Sequence, residues 1–297
     1  MATNTVSGRI PPWNLTHCRF LKEYFPTSES FAGRTQIGAV RHLLKAAGTK
    51  ISGVSGAKHY PSRAELFSRL YHQEGSPYTG MIPAGGRRLD SASRTRNTLW
   101  TSIEAALGFT PHFIVEVGSF VGKSATEVWG PLASRSGGMA LCVDSWEGAV
   151  TMRLAPAIMG RYKELVTPRR GFVPQLGQAF LQTVVDAQLT DTVFPLSMPS
   201  LTAARLLVEL KWKIDVIFID ASHEMGETLL EMHMYYNLLN PGGVLVGDDY
   251  EGFPAVRHDV DKFVQCHNVT LRILSEDPPR TRKNTWMLVK PPIPDGL

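Results

Sequence analysis

The pattern of apolar and polar positions changes rhythm twice along this chain. From Leu99 onward, short continuous apolar runs alternate with longer stretches of helical period, and turn-forming residues separate them. Continuous runs of that length mark strands buried on both faces, and their alternation with helices predicts a parallel sheet covered on both sides. The pattern predicts strands at about 112–117, 139–143, 192–196, 214–219, 243–247, 269–274 and 284–290. Helices are predicted near 100–107, 122–134, 156–166, 174–188, 200–211, 224–239 and 254–266. Asn240-Pro241-Gly242-Gly243 should stop the helix before the fifth strand, since proline cannot continue it and the glycines permit a tight turn. The expected fold class is α/β, an open seven-stranded and mostly parallel sheet with helices on both faces, over residues 96–297.

Before Leu99 the grammar is different. Ile37 to Gly48 and Ser62 to Gln73 carry helical periods, and Ser62 followed by Glu65 three residues on matches a capping box. Gly75 to Asn97 is rich in Gly, Pro, Ser and Arg without a period, which reads as a loop or linker. Residues 1–95 are therefore expected to be a small helical extension, a lid, a substrate contact or a homo-oligomer contact. Charge sharpens the division. Residues 1–100 hold 14 Lys and Arg against 5 Asp and Glu, whereas residues 101–297 hold 17 against 22. A basic arm on an acidic body can meet an anionic partner or pack on such a body, and it can equally be an ordinary solvated face.

Composition narrows the class without choosing a function. With 297 residues, 43% hydrophobic and 20% charged, the chain has the balance of a globular protein. No window reaches the roughly 18 consecutive apolar residues of a membrane helix, and the first thirty residues lack the charged start and apolar core of a secretory signal. A cytoplasmic protein with no membrane partner is the expectation. Cys18, Cys142 and Cys266 are too few and scattered for a disulfide framework or a paired metal site, so incidental thiols are expected.

The candidate chemistry sits just after two of the apolar runs. DVIFIDASH (Asp215 to His223) delivers Asp220, and GGVLVGDDY (Gly242 to Tyr250) delivers Asp248 and Asp249, to the carboxyl edge of the expected sheet. Ligands bind at that edge in open α/β sheets. Three carboxylates gathered there repel one another unless they surround a hard cation such as Mg²⁺, which takes oxygen ligands. His223 would then be a titratable base beside that ion. Taken singly, each has a plainer reading: Asp220 could cap the next helix, Asp248 and Asp249 could lie in a solvated loop, and His223 could be structural. His233, with Met232 and Tyr236 on an apolar helix face, reads as packing, and the Arg87-Arg88 and Arg169-Arg170 pairs read as surface charge.

A second constellation lies in FIVEVGSFVGKSATEV (Phe113 to Val128), which reads strand, glycine turn, helix. Gly118 and Gly122 let the backbone come close to a ligand, and the helix that follows offers free N–H groups. Only three residues separate these glycines, so the segment is not a Walker A loop; Phe120 stands where a dinucleotide fingerprint needs glycine. What remains is an acid, Glu116, two residues before the first glycine. It suits a ligand's ammonium group, and Ser124 suits a carboxylate. Asp144 ends the next strand, 22 residues after Gly122, where an acid grips ribose hydroxyls, and Trp146 could cover an adenine. Amino acid, ribose and adenine together describe S-adenosylmethionine.

These residues resemble the class I S-adenosylmethionine-dependent methyltransferases of Rossmann-like fold, across about Leu99 to Lys290. EVGSFVGKSA is similar to the glycine loop of catechol-type O-methyltransferases, and NPGGVLV to the turn common to the class. D-x-x-H with a later DD resembles the metal-dependent branch that acts on macrolide sugars. The resemblance implies Asp220, Asp248 and Asp249 as Mg²⁺ ligands and His223 as general base. It also implies Glu116, Gly118, Phe120, Ser124, Asp144 and Ser200 as cofactor contacts. The expected reaction is methyl transfer to a hydroxyl of a small molecule, a sugar, polyketide or catechol-like compound. A methyltransferase for nucleic acid or protein finds support only in the basic first hundred residues. A non-catalytic cofactor-binding subunit is opposed by the intact acidic segments.

Overall fold

The computed structural model describes residues 60–72, 75–84, 96–154, 156–167, 175–274 and 284–292. The helix expected at Ile37 to Gly48 and both arginine pairs lie outside them. Seven strands form one sheet in the order β3-β2-β1-β4-β5-β7-β6. β1 (Phe113–Val117), β2 (Met139–Asp144), β3 (Val193–Ser197), β4 (Ile214–Ile219) and β5 (Leu239–Gly247) run parallel. β7 (Thr285–Val289) lies antiparallel between β5 and β6 (Leu271–Leu274). This is the Rossmann-like α/β sheet that the alternating pattern predicts. Successive strands step outward from β1 on one side, and β4 then returns to its other side. The carboxyl ends of β1 and β4 therefore flank the point where strand order reverses, the place such sheets use for ligands.

Every residue of β1 and β4 is buried. Helices supply the cover: α1 (Arg63–Leu70), α2 (Arg96–Leu107), α3 (Gly130–Ser134, entered through a π turn over Ala125–Trp129), α4 (Val150–Leu154), α5 (Lys163–Val166), α6 (Leu176–Asp186), α7 (Ser200–Leu210), α8 (Glu227–Tyr236) and α9 (Pro254–His267). Ile114, Val216, Trp129, Phe180 and Val184 meet in one core layer, where the Trp129 ring lies 4.8 Å from that of Phe218.

Residues from Tyr60 onward fall in the same compact unit as the sheet. β3 is an edge strand, and the segment before α2 covers it. Tyr78 and Tyr71 donate their hydroxyls to the carbonyls of Val193 and Pro195, at 2.6 and 2.8 Å. These alternate carbonyls face outward along the edge, and occupying them closes it to foreign strands. Ser62 caps α1 as expected, its hydroxyl accepting from Glu65 N at 3.1 Å, while the Glu65 carboxylate accepts from Trp212 Nε1.

Tertiary bonds move some boundaries. α8 stops at Tyr236, and Asn240-Pro241-Gly242-Gly243 lies inside β5 rather than in a turn before it. Gly242 N donates to Lys290 O, Lys290 N donates to Gly243 O, and Asn240 Nδ2 donates to Asp215 at 2.8 Å, so the segment joins the ladder with a shift of register opposite Ile214 and Val216. Buried Asp215 also accepts from the Tyr60 hydroxyl and from His112 N, which fastens the amino end of the sheet. The helix expected at 156–166 is a 3-10 segment over Pro156–Tyr162, kinked within at Gly160 (φ 51°), followed by the short α5. Cys142 is buried and free, but Cys266 is disulfide-bonded, so the expectation of incidental thiols holds for the first and fails for the second. Among the described residues no helix is long and apolar enough to cross a membrane.

Candidate active site

The glycine loop leaves β1 at Gly118, whose φ is +91° and whose N–H donates to Val143 O at 2.8 Å. A Cβ at this position would stand 2.1 Å from the carbonyl oxygen of Asp220 and 2.5 Å from Ala221 Cα. Glycine is thus required here because the ends of β1 and β4 touch. Gly122, at φ +81°, packs against the Phe180 ring.

Asp144 anchors the loop from β2. One carboxylate oxygen accepts from Phe120 N at 2.8 Å and the other from Trp146 N at 2.7 Å, and Trp146 Nε1 donates back to Phe120 O at 2.7 Å. Phe120 and Trp146 are both held at positive φ, 46° and 54°. Such backbone strain persists where the surroundings over-determine it, and this web does so. Asp144 therefore holds the loop's main chain, whichever hydroxyl it also meets. Trp146 departs from its expected role: its ring is buried at 6% exposure, 4.9 Å from Phe180, and forms the floor of the loop rather than an open stacking face.

Glu116 is fully buried, and among the described residues neither carboxylate oxygen makes an aligned hydrogen bond, although the side chains of Ser124, Ser119 and Cys142 stand beside it. Burial pushes its carboxyl up to about 7, against the opposing pull of Ser124 and Ser119 nearby. A buried acid is costly unless donors or a cationic group pair with it. Ser124 stands half-buried at the entrance to the π turn. Ser200 faces elsewhere than expected: its hydroxyl donates to Glu231 at 2.6 Å and its carbonyl accepts from the Tyr235 hydroxyl. Glu231, another buried acid raised to about 7 by burial, was missed in the sequence. Its signal was its position four residues before Tyr235, on the inward side of α8.

At the ends of β4 and β5 the acidic segments meet. One donor atom each from Asp220, His223 and Asp249 lies within 4.8 Å of the others, the group among the described residues spaced to share one ion. His223 Nε2 is 2.8 Å from Asp249 Oδ2 and 3.9 Å from Asp220 Oδ1. Of the expected ligands, Asp220 and Asp249 belong to this group together with His223, and Asp248 lies outside it. Asp248 bears on the group by charge: burial first, then the neighbouring carboxylates of Asp248, Asp249 and Glu116, push the Asp220 carboxyl well up, with Lys123 opposing. Phe253 stacks on the His223 ring at 4.1 Å and 14°, and Asp249 sits at φ 65°.

The helix beyond His223 is not capped by Asp220, the plainer reading of that residue. Fully buried Asp259, on α9, accepts from Gly226 N at 2.7 Å and Leu229 N at 3.2 Å. Asp259→Ala is expected to cost about 2 kcal/mol in urea unfolding, a lost cap plus two stranded donors. An unchanged midpoint would remove the cap from this account.

Residues 115–250 match the family model described as a methyltransferase domain. They form a methyltransferase domain on a Rossmann-like sheet. The matched span of this methyltransferase domain runs from β1 to Tyr250, so it holds the glycine loop, Asp144, the Asp220 to His223 segment and Asp248-Asp249. A 54-residue stretch is 37% identical to uncharacterized protein R132 of Acanthamoeba polyphaga mimivirus, covering 17% of this chain and 24% of that protein. The chain thus spans about a quarter of the length of that curated relative. Among solved structures, the O-methyltransferase from Bacillus cereus in complex with SAH is 13% identical at a TM-score of 0.47, covering 93% of this chain and 97% of that one. TomG from Streptomyces achromogenes, an O-methyltransferase involved in tomaymycin synthesis and solved with SAM, is 16% identical at a TM-score of 0.45, covering 68% and 82%.

Proposed function

We propose that the methyltransferase domain moves a methyl group from S-adenosylmethionine to a hydroxyl of a small molecule, with a divalent cation at the Asp220 edge. The observation that carries this reading is the contact of Gly118 with the Asp220 carbonyl. It joins the glycine loop, where a methyl donor would lie, to the donor group of Asp220, His223 and Asp249, where an acceptor oxygen would lie. Bound there, the sulfonium supplies an electrophilic methyl, and a divalent cation of the Mg²⁺ kind lowers the pKa of the hydroxyl.

The chain's own residues do the rest. Glu116 pairs with the ammonium of the methionine moiety, and Asp144 fixes the loop that carries it. Asp220 and Asp249 hold the acceptor edge, so that the S–C bond breaks as the O–C bond forms in line. The hydroxyl proton leaves to a protein group. In the motif's terms that group is His223; in space its Nε2 is placed either for that task or as a third donor to the cation. A sugar, polyketide or catechol-like hydroxyl fits this chemistry.

Glu116 gives the reading a pH test. Its folded pKa of about 7 lies above the ordinary carboxylate value, so the folded protein keeps a proton that the unfolded chain has lost between about 4.5 and 7. The ligand-free protein should lose stability as pH rises through that window. An ammonium favours the charged carboxylate, so cofactor binding expels the proton and affinity for S-adenosylhomocysteine should climb about fivefold from pH 6 to pH 7, then level off within about a further twofold. Calorimetric titration at three pH values measures it. Glu116→Gln should flatten the dependence and weaken binding, and a slope that survives in the variant would move the ammonium site elsewhere.

A further inference from the structure

We infer that His223 bonds the cation directly through Nε2, and that the site takes a first-row transition ion such as Mn²⁺ or Co²⁺ in preference to Mg²⁺. The inference rests on the cation-assisted reading above and changes the role that the sequence motif gives this histidine. Geometry comes first. Two donors each about 2.1 Å from a shared ion stand roughly 3 Å apart at a right angle and nearly 4 Å apart at a wide one. The separations of Nε2 from Asp249 Oδ2 and Asp220 Oδ1, 2.8 and 3.9 Å, bracket that range.

A second observation concerns direction. Nε2 is buried at the atom and makes no aligned hydrogen bond, although Asp249 Oδ2 stands 2.8 Å away. An imidazole held only as a hydrogen-bond partner of Asp249 would turn its N–H onto that oxygen. Here the nitrogen stands within 4.8 Å of a carboxylate oxygen of each acid without such a bond. The ring is also locked, stacked on Phe253 at 4.1 Å and 14°, as befits a ligand that must not swing. On the other side Asp249 sits at φ 65°, a strained backbone setting.

Donor chemistry then selects the ion. Mg²⁺ prefers an all-oxygen octahedron and keeps its waters, whereas imidazole nitrogen suits the later divalent ions, with affinity rising from Mn²⁺ to Co²⁺. One nitrogen and two carboxylate oxygens with open positions make a site of the second kind.

The test uses the full chain stripped with chelator and loaded with Mn²⁺, Co²⁺ or Mg²⁺. Pulsed electron paramagnetic resonance of the Mn²⁺ form should show the ¹⁴N modulation of a bound imidazole, and His223→Ala should erase it. Calorimetry should rank Co²⁺ above Mn²⁺ above Mg²⁺. The same variant should weaken Co²⁺ by about 10–100-fold, at least the loss that even an outer partner of a ligand causes, while Mg²⁺ changes less than about threefold. A nitrogen-free Mn²⁺ spectrum of the unaltered protein overturns the assignment and returns His223 to the role of base, and needs no variant to fold. Equal losses for Co²⁺ and Mg²⁺, or no binding of any of the three ions, overturn it as well. Failure of the methyl-transfer reading is separate: it would appear as no binding of S-adenosylhomocysteine by the same preparation.

Discussion

Gly118→Ala should cost about 3–5 kcal/mol of folding stability and abolish cofactor binding. The first part of that loss is backbone strain, since φ +91° is foreign to alanine and costs on the order of 1–3 kcal/mol. The second is a collision: the new methyl would stand 2.1 Å from the carbonyl oxygen of Asp220, which is backbone held at the end of β4 and has little room to yield. Against a total stability of about 5–15 kcal/mol, the loss is large. Gly137→Ala is the control, because Gly137 also has a positive φ, +67°, but a Cβ there meets nothing within 4 Å. Urea unfolding followed by tryptophan fluorescence compares the two. Equal losses would mean that the ends of β1 and β4 do not touch, and the link between the glycine loop and the acidic edge would fall with them.

Asp220→Asn should lower kcat/KM for methyl transfer by about 10²–10⁴-fold while leaving affinity for S-adenosylhomocysteine within about threefold. A cation acting on an acceptor oxygen contributes several kcal/mol to the transition state, and each 1.36 kcal/mol is a factor of ten in rate. The substitution keeps shape and removes the charge that the ion needs. Transfer of a labelled methyl group to a panel of sugar, polyketide and catechol hydroxyls reads the effect. Excess chelator should reproduce it in the unaltered protein, and full activity with chelator present would take the cation out of the reaction. If instead cofactor affinity collapses with rate, Asp220 belongs to the cofactor's side of the edge.

Much of this protein is written in local order. The apolar runs determine seven strands, because a strand buried on both faces is apolar at most positions, and six of the seven begin and end within a residue or two of expectation. The positions of Asp220 and of Asp248-Asp249 follow at once, since a residue that directly succeeds a parallel strand lies at its carboxyl edge. Glu116 was equally legible, an acid in an otherwise apolar strand two residues before a glycine.

What sequence order alone did not decide is how atoms from separate segments meet. Gly118 is needed by Asp220, 102 positions away, and a spacing argument sees only the loop's own ligand. The same holds for Trp146, which reads as a stacking platform by place and is buried by Phe180. Asp259 caps α8 from another helix, and Glu231 takes the Ser200 hydroxyl across 31 positions. The sequence by itself thus determined the sheet, its polarity and the edge where acids gather, because these depend on period and on neighbours in the chain. Only the tertiary structure decided that donor atoms of His223, Asp220 and Asp249 stand within 4.8 Å of one another, because the loops after β4 and β5 meet in space and the Phe253 ring stacks on that of His223.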